Sequence, residues 1–397
     1  MYIKVRTLFI LLLSSVYFIG CSDTPGPVGY SLLDPSDVLS LNELSSDSLT
    51  QSSTSVLVSV ATSGSSQVLL GKFQETESSV LVRFDFSTME DTIKTMVNND
   101  SLQVKQAIVK MYAIYYLGDM NLPFDYSVHK INSSWTSSGF TLDSLAGLNY
   151  DAEDVSSNKN IGYDTVYSFD LGNDVMLEWL RHDADTSNAQ FANNGIYLEP
   201  TAGTQRIVGF QAISSSTVDT IIIIKVVYEK LGSGIDDTLS FVETSDIHIV
   251  KGSLIPANSE NIFIQGGVAE NAKLKFDLPD ISPFSIVNSA DLTLTYDSTK
   301  SYLGSPTPTY LTARFLTDSA LIQYDSSNIA ILTKSNYQYT GSISGFVQRW
   351  INGEKNYGIL ISFYNEVNIA DILTLYSSTT VEKSKRPFLK IKYSTKK

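Results

Sequence analysis

Three histidines, one cysteine and 42 Asp plus Glu are the groups that chemistry at neutral pH would draw on. His129, His182 and His248 lie in separate segments, without the HxxxH spacing that lets two imidazoles grip one zinc ion, and Cys21 has no second thiol to complete a site. No serine sits in a Gly-x-Ser-x-Gly elbow, and no Walker-type glycine loop is present. Two carboxylates held roughly 5 to 10 Å apart would suffice for glycoside hydrolysis. With 42 acids, no single pair stands out. Hard-oxygen chemistry has a better local pattern. In "HDADTSN", Asp183, Asp185 and Ser187 alternate with Asn188 beyond, offering several calcium ligands from one loop. "NYDAEDVSSN" gathers Asp151, Glu153 and Asp154 in the same way. The first loop lacks the glycine turn and distant Glu of an EF-hand, and at each a solvated acidic loop competes with a structural calcium site. No other cofactor is expected.

Cys21 belongs to a different chemistry. Lys4 and Arg6 precede an apolar run from Leu8 to Leu13 that resumes at Val16, and small Gly20 stands directly before the thiol. This is the layout of an export signal, and it is too short to span a bilayer that needs ~20 residues. The ending Phe-Ile-Gly-Cys resembles the lipobox of bacterial lipoproteins, in which the cysteine sulfur is diacylated, with chains such as palmitate, and the cysteine becomes the mature N-terminus. The resemblance implies a signal peptide over 1–20, lipid attachment at Cys21 and a membrane as partner through the anchor. Several acyl chains, at ~0.8 kcal/mol per buried methylene, hold such a protein almost permanently. From Ser22 to Ser66 the chain is rich in Ser, Asp, Thr and Pro, so 21–66 is expected to be a flexible, solvated spacer. Ser22-Asp23 is similar to the start of the acidic signal that sends some Bacteroidetes lipoproteins to the outer face of the outer membrane. The expected location is therefore the cell surface.

The elements beyond the spacer are read from period. Strong segments alternate or run apolar for only a few residues: "SVLVRFDF" at 79–86, "AIVKMYAIYYL" at 107–117, "TIIIIKVVYEK" at 220–230, "ADLTLTYDS" at 290–298 and "PFLKIKYS" at 387–394 among them. Ser, Asn, Asp and Gly separate them. Short helices are expected near Asn173–Arg181 and Ile343–Ile351, with a third over Met89–Val97. The 22 tyrosines and the 18% of charged residues fit a β-rich extracellular chain. A formal charge of −14 argues against nucleic acid, which needs clustered cations.

These segments recur in order. "SVLVRFDF" corresponds to "AKLKFDLP", "AIVKMYAIYY" to "ADLTLTYDS", "DLGNDVMLEWL" to "SISGFVQRWI", "NGIYLEP" to "YGILISF" and "IIIIKVVYEK" to "PFLKIKYSTK". The fold expected is all-β: two tandem β-sandwich domains with a few short helices, at 67–235 and 246–397, parted near "GSGIDDTLSF" at 232–241. The second copy, with "NAKLKFDLPDIS", "NSADLTLTYDS", "ISGFVQRWINGEKNYGILIS" and a closing "RPFLKIKYS", resembles the DNRLRE-type module of secreted bacterial proteins over most of 246–396. The name-giving string itself is absent. The resemblance implies a jelly-roll-like sandwich in which a short Trp-bearing helix plugs one end. The start of the chain, "GYSLLDPSDVLSL" and "LLGKFQETESSVLVRF", is also similar to an uncharacterised family of Bacteroidetes lipoproteins.

Trp179 lies beside Val175, Met176 and Leu180, and Trp350 beside Phe346, Val347 and Ile351. Such apolar stripes are expected to be core plugs. Trp135, in the polar run "SSWTSSGFT", is a candidate for ligand contact, as are Tyr302 and Tyr310 in "KSYLGSPTPTYL" at 300–311. Aromatic faces beside polar side chains are what jelly-roll sandwiches use to bind sugars. The expectation is a non-catalytic surface lipoprotein that contacts polysaccharide or another envelope protein. The alternative is an extracellular polysaccharide hydrolase or lyase that uses an Asp/Glu pair.

Overall fold

The computed structural model describes residue 34 and residues 38–58, 62–162, 165–185, 192–213, 221–252 and 255–396. Cys21 and the expected export signal lie outside them. The chain is all-β, built as two curled antiparallel sheets, each folded over a separate apolar core.

The first module comprises β3 (Gln67–Phe73), β4 (Thr76–Phe84), β5 (Leu102–Leu117), β6 (Tyr126–Lys130), β7 (Ser156–Asn160), β8 (Val166–Leu171), β9 (Ile196–Pro200), β10 (Ile207–Gln211), β11 (Ile223–Lys230) and β12 (Asp236–Lys251). The second comprises β13 (Asn261–Gln265), β14 (Glu270–Asp277), β15 (Ile286–Thr295), β16 (Tyr310–Asp318), β17 (Gln323–Ser335), β18 (Gln338–Ser342), β19 (Ile359–Phe363), β20 (Ile372–Tyr376) and β21 (Phe388–Lys396). Long strands turn the corners between layers. The first half of β12 pairs with β11 and its second half with β4, while β5 pairs with β11 early and with β10 late. Side chains of alternating strand positions then meet inside, as a closed sandwich requires.

The expected repeat holds at the level of register. Val80 opposes Leu198 and Val82 opposes Ile196 where β4 meets β9, and Ala272 opposes Ile361 and Leu274 opposes Ile359 where β14 meets β19. Ala107 faces Val226 between β5 and β11, and Ala290 faces Ile391 between β15 and β21. Both alanines are fully buried. An Asn-x-Gly step opens the matching strands β9 and β19. Asn193 Nδ2 donates to the Phe84 carbonyl at 2.7 Å and its Oδ1 accepts from Gly195 N, while Asn356 Nδ2 donates to the Phe276 carbonyl at 2.7 Å and its Oδ1 accepts from Gly358 N. Gly195 (φ 84°) and Gly358 (φ 93°) occupy left-handed backbone, where a Cβ would stand 2.0 Å from the Val82 carbonyl oxygen and 2.3 Å from that of Leu274. Only glycine allows this turn beside an adjoining strand.

The helices are α1 (Asp91–Asn98), α2 (Leu142–Ala146), α3 (Asn173–Ala184) and α4 (Ser344–Ile351). Trp179 on α3 is fully buried, its ring centroid 6.4 Å from Phe84 and 6.1 Å from Phe86. On α4, Trp350 stacks on Phe315 at 5.9 Å. Each indole closes its sandwich, and burial at ~25 cal/mol per Å² makes each a large local term. The second turn of α4 is fixed by Arg349, whose guanidinium meets Asp325 at 2.8 Å and Glu354 at 2.7 Å. The short helix α2 was not expected. With Trp135 and Leu145 it covers the outer face of β4, β9 and β12, burying Leu81, Tyr197, Ile247 and Ile249. β4 and β9 therefore bury side chains on both faces, Val80 and Val82 beside Leu81, and Ile196 and Leu198 beside Tyr197.

Two expected boundaries need correction. The spacer 21–66 is not loose throughout, because β1 (Leu39–Ser45) pairs with β21 and β2 (Thr50–Leu57) pairs with β14, both in the second module. Its Ser/Thr content suits strands held by main-chain bonds, with few apolar side chains turned inward. The first module does not end at 235 either. The boundary expected near 232–241 falls inside strand β12 of the first module, which buries Phe241, Glu243, Asp246, Ile247, His248 and Ile249 in its later part.

Candidate functional site

The 300–311 loop and strand β5 meet at the seam between the modules. Tyr115 sits near the end of β5, and its hydroxyl donates to Asp371 Oδ2 at 2.6 Å across the seam while accepting from Ala370 N at 3.1 Å. Asp371 Oδ1 accepts from Gly304 N at 2.6 Å. Both side chains are buried, Tyr115 at 1% and Asp371 at 0% exposure. Burial pushes the Asp371 carboxyl up to about 6, against the lowering effect of the tyrosine and amide bonds. Burial and the neighbouring carboxylate raise the Tyr115 phenol well above its ordinary value. Gly304 is required here, since a Cβ would lie 2.5 Å from the Tyr115 ring. Tyr116 and Ser305 exchange main-chain bonds at 3.0 and 2.8 Å, Gln265 Nε2 donates to Thr76 Oγ1 at 2.6 Å, and the Gln67 amide donates to the Asn368 carbonyl. Leu69, Tyr115, Leu117 and Ile207 of the first module join the apolar core of the second. The seam is a packed interface.

Beside this lock opens a cleft of about 400 Å³. That is toward the low end of small-molecule sites, at ~300–1,000 Å³. Its wall is formed by Tyr310, where β16 begins, and Tyr364, which follows β19. Pairing of Leu311 with Phe363 sets them side by side, and their rings meet edge to face at 6.3 Å. Tyr310 is 46% exposed and Tyr364 56%. Ile114, Pro306 and Pro308 extend the apolar surface, and Gln67, Asn365 and Asn368 supply amides. No Asp, Glu, Lys, Arg or His is among the residues lining it. The chemistry offered is a pair of π-faces, amides and hydroxyls, without charge.

The other predicted residues are dispersed. Tyr302 is half-exposed, but its ring packs on Phe73 at 5.4 Å and its backbone pairs with Ile372, so it belongs to the seam packing and not to the cleft. Trp135 does not display a face to solvent. It is 5% exposed, its Nε1 donates to the Asn194 carbonyl at 2.7 Å, Arg83 lies over the ring at 5.6 Å, and Phe140 meets it at 6.0 Å. In the calcium candidate, Asp183 pairs with Lys94 at 3.6 Å and Asp185 ends α3, while Ser187 and Asn188 lie outside the described residues. In the second acidic loop, the Asp151 carboxylate accepts from Asn132 Nδ2 at 2.6 Å. Asp154 accepts from Val128 N and Ser156 N and pairs with Lys159. That loop is organised around His129, whose Nδ1 lies 3.0 Å from the Asp151 carbonyl oxygen and 3.1 Å from that of Glu153. Among the described residues, no group of three or more His, Cys, Asp or Glu is placed to hold a metal ion.

Sequence reasoning missed Tyr364 and Ile114, which come to Tyr310 only through strand pairing and the seam. It also passed over the buried acids. Glu243 on β12 is fully buried, accepts from Ile222 N at 3.2 Å, and is pushed up to about 9 by burial and then by Asp246. Asp246 is itself raised to about 6 by burial. These carboxyls are candidates for the acids of a hydrolase by their shifted values, but neither is among the residues lining the seam cleft.

No protein-family model, no curated protein and no solved structure matches this chain.

Proposed function

We propose that the chain is a non-catalytic envelope lipoprotein, anchored through Cys21 at the outer membrane, whose paired sandwiches hold a binding cleft for a neutral polysaccharide. The observation that carries this reading is the exposed Tyr310–Tyr364 pair in an uncharged cleft lined with amides. Pyranose rings stack their apolar faces on tyrosine and satisfy their hydroxyls with Asn and Gln, so binding needs no ion pair. A charged glycan or acidic peptide would find no counter-charge on the lining. The lipobox resemblance supports the anchor, and the resemblance to DNRLRE-type modules supports a secreted setting.

The test is binding of the soluble chain to arrays of neutral and charged glycans, with Tyr310→Ala/Tyr364→Ala beside it. Loss of neutral-glycan binding, with an unchanged melting temperature and no released product, is expected. Retention of binding by the double variant sinks the cleft assignment, and product release favours the hydrolase or lyase. Mass spectrometry of the native N-terminal peptide tests the anchor separately.

A further inference from the structure

The leading strands of the chain complete the module that is distant in sequence. Strand β1–β2 precedes the first module in sequence yet completes the second, pairing with β21 and β14. Strand β12 precedes the second module yet completes the first, pairing with β11 and β4. The two occupy matching positions. Leu44 opposes Ile391 as Leu239 opposes Val226, and Ser55 opposes Ala272 as His248 opposes Val80. β12 turns its corner as one strand, whereas β1 and β2 are parted by a 3-10 turn at Ser46–Ser48. The second module therefore offers a slot, with edges on β14 and β21, for strands that lie ahead of the first module in sequence.

The two positions are filled with unlike strength. β12 buries Phe241, Ile247 and Ile249. In β1–β2 neither strand has a fully buried side chain, and Leu44 is only partly buried against the second core. Leu49 is partly buried against the same core and Lys390 pairs with Glu43 at 2.8 Å; the other ties are ladder bonds and hydroxyls, with Leu389 N donating to Ser46 Oγ at 3.0 Å, Phe263 N to Ser55 Oγ at 2.9 Å and Ser378 N to Ser53 Oγ at 2.8 Å. A strand held in this way contributes affinity through its backbone and little through apolar burial, as added strands do. Any copy of the same segment fits the same slot.

We infer that the β14 and β21 edges form a strand-accepting site and that a second copy of this chain is its partner, donating residues 39–57 in exchange. This is a reciprocal strand swap between identical chains, which makes no new contact type and so costs little beyond association. The tethered strand wins in dilute solution because its effective concentration is in the ~mM range for a short linker. Raising the chain concentration, or copies crowded on one surface, shifts the balance toward exchange.

The test uses full-length chains with Cys21→Ser and one new cysteine each, Glu43→Cys or Lys392→Cys. These positions are exposed and oppose each other across β1 and β21, at a spacing that disulfide geometry accepts. The two are mixed, unfolded, refolded together at high concentration and oxidised. A mixture of Glu43→Cys with Asp143→Cys, an exposed position on α2, is the control. The expected result is a disulfide-linked dimer in the first mixture about tenfold or more above the control, declining on dilution. A chain carrying both Glu43→Cys and Lys392→Cys reports whether the β1–β21 pairing forms at all, by closing internally. Internal closure with cross-linking no higher than the control overturns the exchange; failure to close overturns the slot itself.

Discussion

Replacing Tyr115 by Phe removes one oxygen from the seam and leaves its shape intact. Asp371 then loses its 2.6 Å donor and the Ala370 amide loses its acceptor, in a place where both residues are buried. A hydrogen bond to a charged group contributes ~1.5–3 kcal/mol and one to a neutral group ~1 kcal/mol, and an orphaned buried amide costs ~1 kcal/mol or more. The Asp371 carboxyl, raised to about 6 by burial, is ionised at pH 8 and neutral at pH 4.5. The variant should therefore lose ~3 kcal/mol at pH 8 but ~2 kcal/mol at pH 4.5. The sign for the native protein follows from linkage. A carboxyl whose folded value lies above its unfolded one stabilises the fold fully below the unfolded value, near 3.8, and that contribution is lost as pH rises through about 6. Tyr115 lowers the Asp371 value, so its removal steepens the decline. Urea titrations of both proteins at the two pH values measure this. A loss below ~1 kcal/mol at both, or a greater loss at pH 4.5 than at pH 8, would refute the account of the seam.

Three other outcomes follow from the packing. Gly358→Ala, whose Cβ would stand 2.3 Å from the Leu274 carbonyl oxygen at φ 93°, should destabilise by ~3 kcal/mol, read as a fall in the urea midpoint; Gly195→Ala should behave alike in the first module. Trp179→Ala, emptying a site of 0% exposure, should cost ~3–5 kcal/mol, and a loss under ~1 kcal/mol by chemical denaturation would deny α3 its role as plug. Glu243 is raised from 4.5 to about 9, so its protonated form favours the fold below pH 4.5 and that stability drains away as pH rises to 9; Glu243→Gln should flatten this slope, and an unchanged slope would show that the carboxyl is not the source.

What the sequence disclosed depended on how each strand is held. Segments such as 79–84 and 387–393 carry their own apolar signal, and the matched alanines Ala107 and Ala290 follow from aligning one copy on the other. Trp179 and Trp350 were readable because three- and four-residue spacing marks a buried helical stripe. Residues 39–57 were not readable, since a Ser/Thr-rich strand bound by main-chain bonds has no apolar face to betray it. The early part of β12 was hidden for the same reason, its charges lying on exposed edges. For the cleft, Tyr310 was visible as an aromatic in a Pro-rich loop, but Tyr364 and Ile114 are distant in sequence and meet it only through register and the seam. Trp135 misled because a polar neighbourhood in sequence became a covered pocket once α2 folded over β4 and β9.

The first strand of the fold ends up against the last. Ser40 and Thr395 share a hydrogen bond across 355 residues, so as the chain is made from its N-terminus, β1–β2 emerges long before β14 and β21 exist. It must wait as an unpaired strand, a state in which an apolar sequence would collect on any exposed edge nearby. The hydroxyl-rich composition of 39–57 is what lets it wait in water, and strands made before the first sandwich become those that close the second.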